Sequence, residues 1–272
     1  MSLVICTLTW NGLDHLTKLK QSLLPALDKV RDWSWWIKSN GCTDGTIEEV
    51  STWGDKVNLI AYKDNLQNFS QGCNYLFNAA SPKDNDLVLL LNNDIVFQDI
   101  SSLTNMIAML KDDIGVVGTK LLYPDQKRIQ HAGVVFTPKY GLPINYRSGE
   151  LPDDKASKNR EFQAITGAVA LMKAETYRNI YTNKDGSKGL DTEYIWSFED
   201  VDMCLASCLN MKKKVIYCGE TDITHEESAS LKKNAMNKLF LNKNAHYFLD
   251  KWKGRYKIDI DNYNQDAEHN LL

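Results

Sequence analysis

Short apolar runs alternate with segments of helical spacing through the first part of the chain. The run at 3–8 is almost continuously apolar and rich in β-branched residues, which is typical of a strand buried on both faces of a parallel sheet. Strands are predicted at 3–8, 35–37, 57–62 and 87–91, with helices at 13–30, 46–53 and 69–80 between them. This alternation predicts an α/β fold, with a Rossmann-like, mostly parallel central sheet flanked by helices.

The second half of the chain has a less regular pattern. Helices are predicted at 102–110, 175–180 and 198–209, and strands at 116–117, 129–136 and 214–218. The segment 137–160 is rich in Pro, Gly, Lys and Asp, which predicts a long loop, either an active-site lid or an inert surface loop. We expect one domain at 1–230, with a nucleotide-binding half (1–98) and an acceptor-binding half (99–230), and then a basic helical tail at 231–272.

Composition narrows the class of protein. The 272 residues are 43% hydrophobic and 25% charged, which suits a globular chain with a sizeable core, and a net charge of -3 argues against a nucleic-acid partner. The 6 cysteines are scattered without a CxxC pair, which favours free thiols in a reducing cytosol over a zinc site. The apolar runs are too short to cross a bilayer and no signal peptide precedes the first strand. We therefore expect a cytoplasmic protein, whose membrane contact would be peripheral and on the inner face.

Polar residues follow the predicted strands at the edge where ligands bind in doubly wound sheets. The group Asn92, Asn93 and Asp94 comes directly after the strand at 87–91. Carboxylate and amide oxygens there can hold a hard divalent cation, Mn²⁺ or Mg²⁺, against the oxygens of a diphosphate. The alternative is that Asp94 only caps the segment that follows it.

Three carboxylates, those of Glu199, Asp200 and Asp202, crowd the start of the helix predicted at 198–209. The helix dipole favours negative charge at this position, so a structural role is one interpretation. Like charges one turn apart repel each other, however, and that cost is easier to understand if one acid is a general base facing a cleft.

Two histidines are candidates for the same crevice. His225 follows the strand predicted at 214–218, and it would give a cation a second ligand if it met Asp94 in space. His131 lies at the end of a predicted strand, where it would contact donor phosphate or sugar or serve as a hydrogen-bonded structural residue.

Hydroxyl, amide and aromatic side chains at the ends of the first two strands are suited to hold a nucleobase. An amide can read the edge of the base and an indole can stack on its face. These candidates are Thr7, Thr9, Trp10, Asn11 and Asn40. The nearby Asp44 and Thr46 are better explained as a loop and helix cap. The cluster of Trp33, Trp35 and Trp36 favours core packing or a homo-oligomer contact over sugar stacking.

Several motifs resemble, in order and spacing, the family 2 glycosyltransferases of the GT-A fold, and in particular their rhamnosyltransferase-like bacterial branch. The resemblance runs from Leu3 to about Ser230. The matching stretches are TLTWN, NGCTDGT, NFSQGCN, LLLNND, VGTKLLYPD with IQHAG, ITGAVALM and FEDVDMC.

The resemblance implies a role for each motif. Asp94 would bind a metal and the diphosphate, and His225 would be the second metal contact. Asp200 would be the catalytic base, with Glu199 binding the acceptor or orienting the base. Further donor contacts are implied at Asn74, Asn92, Asn93, Gly167 and His131.

The resemblance therefore implies an inverting transfer from a nucleotide diphosphate sugar, a UDP-sugar or else a dTDP-sugar, to a hydroxyl of a glycan, lipid-linked or glycoprotein acceptor. Ser39 and Asn92 stand where the family usually has an acid, which leaves the base open and predicts weak affinity for free metal. The alternative function is a catalytically inactive nucleotide-sugar-binding module that supports a partner transferase.

The tail at 231–272 combines many lysines with apolar residues. This pattern is compatible with packing on the protein's own core, with a homo-oligomer contact, and with a helix lying on an anionic membrane near a lipid-linked acceptor. We rank packing or an oligomer contact before membrane attachment.

Overall fold

A computed structural model describes residues 1–139, 141–195, 197–226, 235–266 and 268–272, with the backbone alone for 235–240. The start of the predicted tail at 231–234 and Ser230 lie outside the described residues. Among the described helices, none is long and apolar enough to span a membrane.

The first part of the chain forms a parallel βα unit. Its elements are β1 (Leu3–Thr9), α1 (Leu13–Leu27), β2 (Trp33–Asn40), α2 (Thr46–Val50), β3 (Val57–Tyr62), α3 (Phe69–Ala80) and β4 (Leu87–Leu91). Strand β1 lies between β2 and β4, and β3 extends the sheet beyond β2, with all three pairings parallel. The carboxyl ends of these strands therefore meet at one edge, where the polar motifs follow them.

The second part of the chain completes the same sheet. Its elements are β5 (Ile95–Phe97), α4 (Ser102–Met109), β6 (Ile114–Leu122), β7 (Ile129–His131), β8 (Val134–Phe136), β9 (Pro143–Asn145), β10 (Arg160–Phe162), β11 (Val169–Lys173), α5 (Ala174–Ile180), α6 (Glu199–Leu205), β12 (Lys214–His225), α7 (Ala235–Trp252) and α8 (Ile260–Gln265). The strand order is β10-β12-β6-β11-β4-β1-β2-β3, with β5 on β12 and β7 on β6, while β8 and β9 form a separate pair. The antiparallel β11 joins the two parallel groups.

Both faces of the sheet are covered, which explains the continuous apolar runs. Side chains of α1 and α4 pack with Leu3 and Ile5 of β1 on one face. Side chains of α3, α5, α6 and α7 pack on the other face with Val4 and Cys6. The predicted α/β fold with a large, mostly parallel sheet is therefore confirmed.

Several predicted boundaries are wrong for identifiable reasons. The strand predicted at 129–136 is two strands, because Gly133 has a φ of +103° and an added Cβ there would lie 2.5 Å from the ring of Phe162. The strand predicted at 116–117 is the nine-residue β6, whose internal Gly118 makes room for Ile165. The helix predicted at 198–209 ends at Leu205 and continues as a π-helical turn to Asn210.

The basic tail packs on the protein's own core through one face of α7. Phe248 and Trp252 are fully buried, while Leu241 and Lys243 are exposed. The predicted loop at 137–160 contains the short strand β9, which pairs with β8.

Candidate active site

A cleft of about 640 Å³ opens at the carboxyl ends of β1, β2 and β4. Thr9, Trp10, Asn11, Asn40 and Asn93 line this first cleft, as the strand-end pattern predicts. The Trp10 side chain is 54% exposed, which leaves its indole face available for stacking.

The wall of the first cleft is held by hydrogen bonds between neighbouring loops. Asn93 donates from Nδ2 to Thr9 Oγ1 over 3.1 Å. Asn11, which has a φ of +47°, accepts the N–H of Thr43 through Oδ1 over 2.8 Å. An added Cβ at Gly12 would lie 2.4 Å from Asn93 Nδ2 and 2.9 Å from Thr9 Oγ1, so glycine here leaves room for the hydrogen bond between these two side chains.

A buried lysine stands directly behind Asn40. The Lys38 side chain is 0% exposed, and its ammonium group donates to Asn40 Oδ1 and lies 4.1 Å from the centre of the Tyr62 ring. Burial lowers the pKa of Lys38. Because the amide oxygen of Asn40 is taken by the ammonium group, the amide nitrogen is the end left for the cleft. The signal for this residue in the sequence was a lysine within an otherwise buried strand, and our sequence analysis missed it.

The structure brings Asp94 and His225 together. Antiparallel pairing of β5 with β12 sets His225 opposite Ile95, and His225 Nε2 lies 3.2 Å from Asp94 Oδ1. The other ring nitrogen, Nδ1, lies 2.6 Å from Gln130 Oε1, and Gln130 Nε2 donates to the backbone oxygen of His225. Since Oε1 only accepts, Nδ1 carries a proton and donates it to Gln130.

This arrangement leaves His225 Nε2 facing a carboxylate oxygen. Two lone pairs at 3.2 Å repel each other unless a proton or a cation lies between them. An octahedral cation with bonds of about 2.1 Å holds neighbouring ligand atoms about 3 Å apart. The pair therefore fits two adjacent ligands of a divalent cation. Within the described residues, no group of three or more His, Cys, Asp or Glu side chains is placed to hold a metal, so further ligands would be amide or backbone oxygens, water or a bound anion.

Asp200 lies at the start of α6 and faces β11. Its Oδ2 accepts the Gly167 N–H over 2.9 Å, and its Oδ1 accepts the Val201 N–H over 2.8 Å. The adjacent Ala168 accepts the N–H of Asn92 over 2.9 Å. Residues 167–168 therefore join the acidic start of α6 to the end of β4 through hydrogen bonds to both.

Glu199 and Asp200 have different surroundings, although burial raises the pKa of both. For Glu199 the Asp200 carboxylate adds to this effect, and Glu199 Oε2 is enclosed without a hydrogen-bond partner among the described residues. For Asp200 the hydrogen bonds from the N–H groups of Gly167 and Val201 lower the pKa and so act against the effect of burial. The hydrogen bonds therefore favour Asp200 as the ionised member of the pair.

A second cleft of about 410 Å³ is lined by Asp200. His131, Asn145, Asp200 and His225 line it together with apolar side chains such as Ile144. Both ring nitrogens of His131 are used internally, since Nδ1 lies 2.9 Å from Asn145 Oδ1 and Nε2 accepts the N–H groups of Gly133 and Thr166. Burial lowers the pKa of His131 to about 4. Its contacts favour the structural role that we gave as the alternative.

Two predicted donor contacts lie in the interior instead. Thr7 is 0% exposed, and its hydroxyl accepts the Trp35 Nε1 proton over 3.0 Å. Asn74 is buried, and its amide group bonds the backbone of Leu190 and the hydroxyl of Tyr177. Strand and helix periodicity turns both side chains into the core, where their polar atoms bond interior partners, so we assign them no donor contact.

Asp202 serves the fold rather than the clefts. Its Oδ1 accepts hydrogen bonds from Tyr194, from Trp252 Nε1 and from Lys251 Nζ. The crowding of acids noted in the sequence is therefore partly explained by a buried ion pair with α7.

Comparison with known structures identifies the fold. The chain is similar to the mannosyltransferase PcManGT from Pyrobaculum calidifontis, solved with GDP-Man and Mn²⁺ (TM-score 0.60, 11% identity, 94% of this chain and 65% of that one). It is also similar to GalNAc-T7 with UDP, GalNAc and Mn²⁺ (TM-score 0.67, 11% identity, 98% of this chain and 51% of that one). A third similar structure is S. aureus TarS 1-349 with UDP-GlcNAc (TM-score 0.62, 13% identity, 94% of this chain and 68% of that one). The fold is the GT-A fold. The GT-A fold that the motif resemblance implies is thus confirmed.

Curated relatives match only part of the chain. The O-antigen biosynthesis protein RfbC of Myxococcus xanthus is 29% identical over 167 residues, which are 58% of this chain and 12% of that protein. The uncharacterized protein y4gI of Sinorhizobium fredii (strain NBRC 101917 / NGR234) is 31% identical over 165 residues, 56% of this chain and 16% of that protein. The chain therefore spans less than a fifth of the length of either relative. No protein-family model matches it.

Proposed function

We propose that this protein is a metal-assisted, inverting glycosyltransferase that moves a sugar from a nucleotide diphosphate sugar to an acceptor hydroxyl. The observation that carries the proposal is the second cleft, which Asp200 and His225 line together, with the buried Asp94 in contact with His225 behind it. The junction at residues 167–168 bonds both Asp200 and the end of β4. A base on one side and a cation site on the other are the two parts that a single displacement at an anomeric carbon requires.

The first cleft is the donor site of this proposal. Trp10 would stack on the nucleobase, and the amides of Asn40 and Asn93 would bind its edge and the ribose. We favour a UDP-sugar, with a dTDP-sugar as the alternative. UDP or a UDP-sugar is the ligand of two of the similar structures, GalNAc-T7 and TarS, whereas PcManGT holds GDP-Man.

Asp94 and His225 would hold the divalent cation, Mn²⁺ or Mg²⁺, and Gln130 would orient His225 for it. When bound, the cation supplies positive charge that stabilises the diphosphate as it leaves. Mn²⁺ accompanies the ligands in two of the similar structures. Since the described residues supply few protein ligands, we expect the cation to bind together with the donor rather than alone.

Asp200 is the general base in this proposal. Its carboxylate takes the proton from an acceptor hydroxyl while that oxygen forms a bond to the anomeric carbon. The bond from the anomeric carbon to the diphosphate oxygen breaks, and the nucleoside diphosphate leaves on the opposite side. Glu199, with its pKa raised by burial and by Asp200, keeps its proton at neutral pH and can donate a hydrogen bond to the acceptor. The acceptor class stays open among glycan, lipid-linked and glycoprotein hydroxyls.

The test is Asp200→Asn, with Asp250→Asn as the matched control, because Asp250 is an exposed aspartate on α7. Loss of the base should lower turnover by about 10²- to 10⁴-fold while donor affinity stays within about twofold. The control should keep wild-type turnover, and the product should have the inverted anomeric configuration by NMR. Near-normal turnover by Asp200→Asn would reject Asp200 as the base. Donor binding by the wild type without turnover on any acceptor would favour the inactive module.

A further inference from the structure

The chain that leads into Glu199 and Asp200 has an unusual backbone. Ser197 and Phe198 both lie in the left-handed region, with φ values of +70° and +76°. Residues with a Cβ rarely adopt this conformation, and two in succession persist only where surrounding contacts impose them. What holds this turn therefore also sets where the carboxylates at the start of α6 stand.

Helix α7 supplies the contacts to this turn. Asn244 is 1% exposed, and its Oδ1 accepts the Ile195 N–H over 3.4 Å while its Nδ2 donates to the Ser197 carbonyl over 3.0 Å. One side-chain amide thus bonds two backbone groups of this segment. The ring of Phe248 lies 5.2 Å from the ring of Phe198, measured between their centres.

A buried ion cluster fixes the rest of the acidic segment to the same helix. Lys251 Nζ lies 2.7 Å from Asp191 Oδ2 and 2.8 Å from Asp202 Oδ1. Trp252 donates from Nε1 to Asp202 Oδ1 over 2.6 Å. One lysine therefore bridges a carboxylate before the turn and a carboxylate after it, in a place where water competes little.

The four α7 residues Asn244, Phe248, Lys251 and Trp252 recur at the spacing that puts them on one face of a helix. We propose that this face is a positioning clamp: α7 holds the strained turn at Ser197–Phe198 and thereby keeps Asp200 aligned with the donor. The inference rests on the proposed function for the role of Asp200. It gives this one face of α7 a positioning role that acts through the segment leading to Asp200.

The first experiment measures the clamp without using activity. Hydrogen–deuterium exchange is followed in peptides that span 193–205, for the full chain carrying Asn244→Ala. Its matched control is Asn242→Ala, an exposed asparagine on the same helix. Loss of the Asn244 bonds should speed exchange in these peptides by about tenfold, whereas the control should match the wild type. Unchanged exchange in Asn244→Ala would overturn the clamp whether or not the proposed function holds.

The second experiment separates positioning from stability. Lys251→Met is compared with Lys251→Arg, which keeps the charge, and with Lys243→Met, which removes an exposed lysine of α7. UDP-glucose, UDP-GlcNAc, dTDP-rhamnose and GDP-mannose are the probes, and release of nucleotide with Mn²⁺ is the readout. For Lys251→Met we expect kcat to fall by about 10- to 100-fold with KM for the donor within about twofold, because a misplaced base loses rate rather than binding. Arginine should restore most of the rate.

The two experiments fail in distinguishable ways. Two results would overturn the clamp and leave α7 as a stabilising element only. The first is that Lys243→Met loses as much kcat as Lys251→Met. The second is that Lys251→Met loses kcat and donor affinity to the same extent. Absence of donor binding and of nucleotide release in the wild type would instead contradict the proposed function, and the exchange measurement would still decide whether α7 holds the turn.

Discussion

Gly167→Ala should displace the proposed base with little other change. A Cβ at this position would lie 2.9 Å from Asp200 Cβ and 3.8 Å from its Cγ. Carbon atoms in contact are separated by about 3.5–4.0 Å, so one of the two groups must move by roughly 0.6–1 Å. Because the Gly167 N–H also donates a hydrogen bond to Asp200 Oδ2, a shift of either residue displaces the Asp200 carboxylate. A misplacement of about 1 Å costs about 100-fold in rate, which is about 2.7 kcal/mol in the barrier.

The assay is nucleotide release from the donor that the wild type binds, with donor affinity measured by calorimetry. We expect kcat to fall by about 100-fold and affinity to stay within about twofold. Gly186→Ala is the control, since its added Cβ meets nothing within 4 Å and Gly186 lines neither cleft. Its φ of +82° adds backbone strain that Gly167→Ala lacks, so the control also shows what a loss of stability alone does to turnover. Wild-type turnover in a folded Gly167→Ala protein would refute the reasoning, because the base would then tolerate the displacement.

Three further predictions concern side chains that support the site. Gln130→Leu removes the partner of His225 Nδ1, and in a metal titration it should raise the Mn²⁺ concentration for half-maximal activity by about tenfold. An unchanged titration would contradict the role given to Gln130. Lys38→Met frees Asn40 Oδ1 and should weaken UDP binding by about tenfold in calorimetry without lowering the melting temperature, because a buried ammonium group is replaced by an apolar chain. His131, with its pKa lowered from 6.5 to about 4, stays neutral in the native state while the unfolded chain takes up a proton. The free energy of unfolding should therefore fall by about 2 kcal/mol between about pH 7 and about pH 5, and denaturant titrations of a folded His131→Gln protein should lack this part of the loss.

The parallel half of the fold could be predicted from local patterns. The helix α3 and the strands β3 and β4 lie at the residues where periodicity placed them. The apolar residues of α3 recur at helical spacing, and those of β4 form a continuous run, so each element has a recognisable apolar pattern in the sequence. The second half could not be predicted as well, because Gly115 and Gly118 inside β6 satisfy close packing against other segments rather than strand propensity.

The candidate site divides in the same way. Asn93 and Asp94 follow a strand and Asp200 starts a helix. Such positions can be found from the pattern of strands and helices, because ligands bind at the edge of the sheet where parallel strands end. The partners that orient them could not be found in this way. Gln130 lies in β7, whereas Asn244 and Lys251 lie in α7. Only the folded chain shows that Gln130 bonds His225 and that the two α7 residues hold the segment from Ser197 to Asp202.

The central claim is most directly tested by nucleotide-sugar binding and release. UDP-, dTDP- and GDP-sugars are each incubated with the wild-type protein in the presence of Mn²⁺ and in the presence of a chelator. Binding is followed by calorimetry and nucleotide release by chromatography. Our account predicts that one class, the UDP-sugars, binds and is slowly hydrolysed with Mn²⁺, and that the chelator suppresses both. Failure of every donor to bind with Mn²⁺ present would contradict the account.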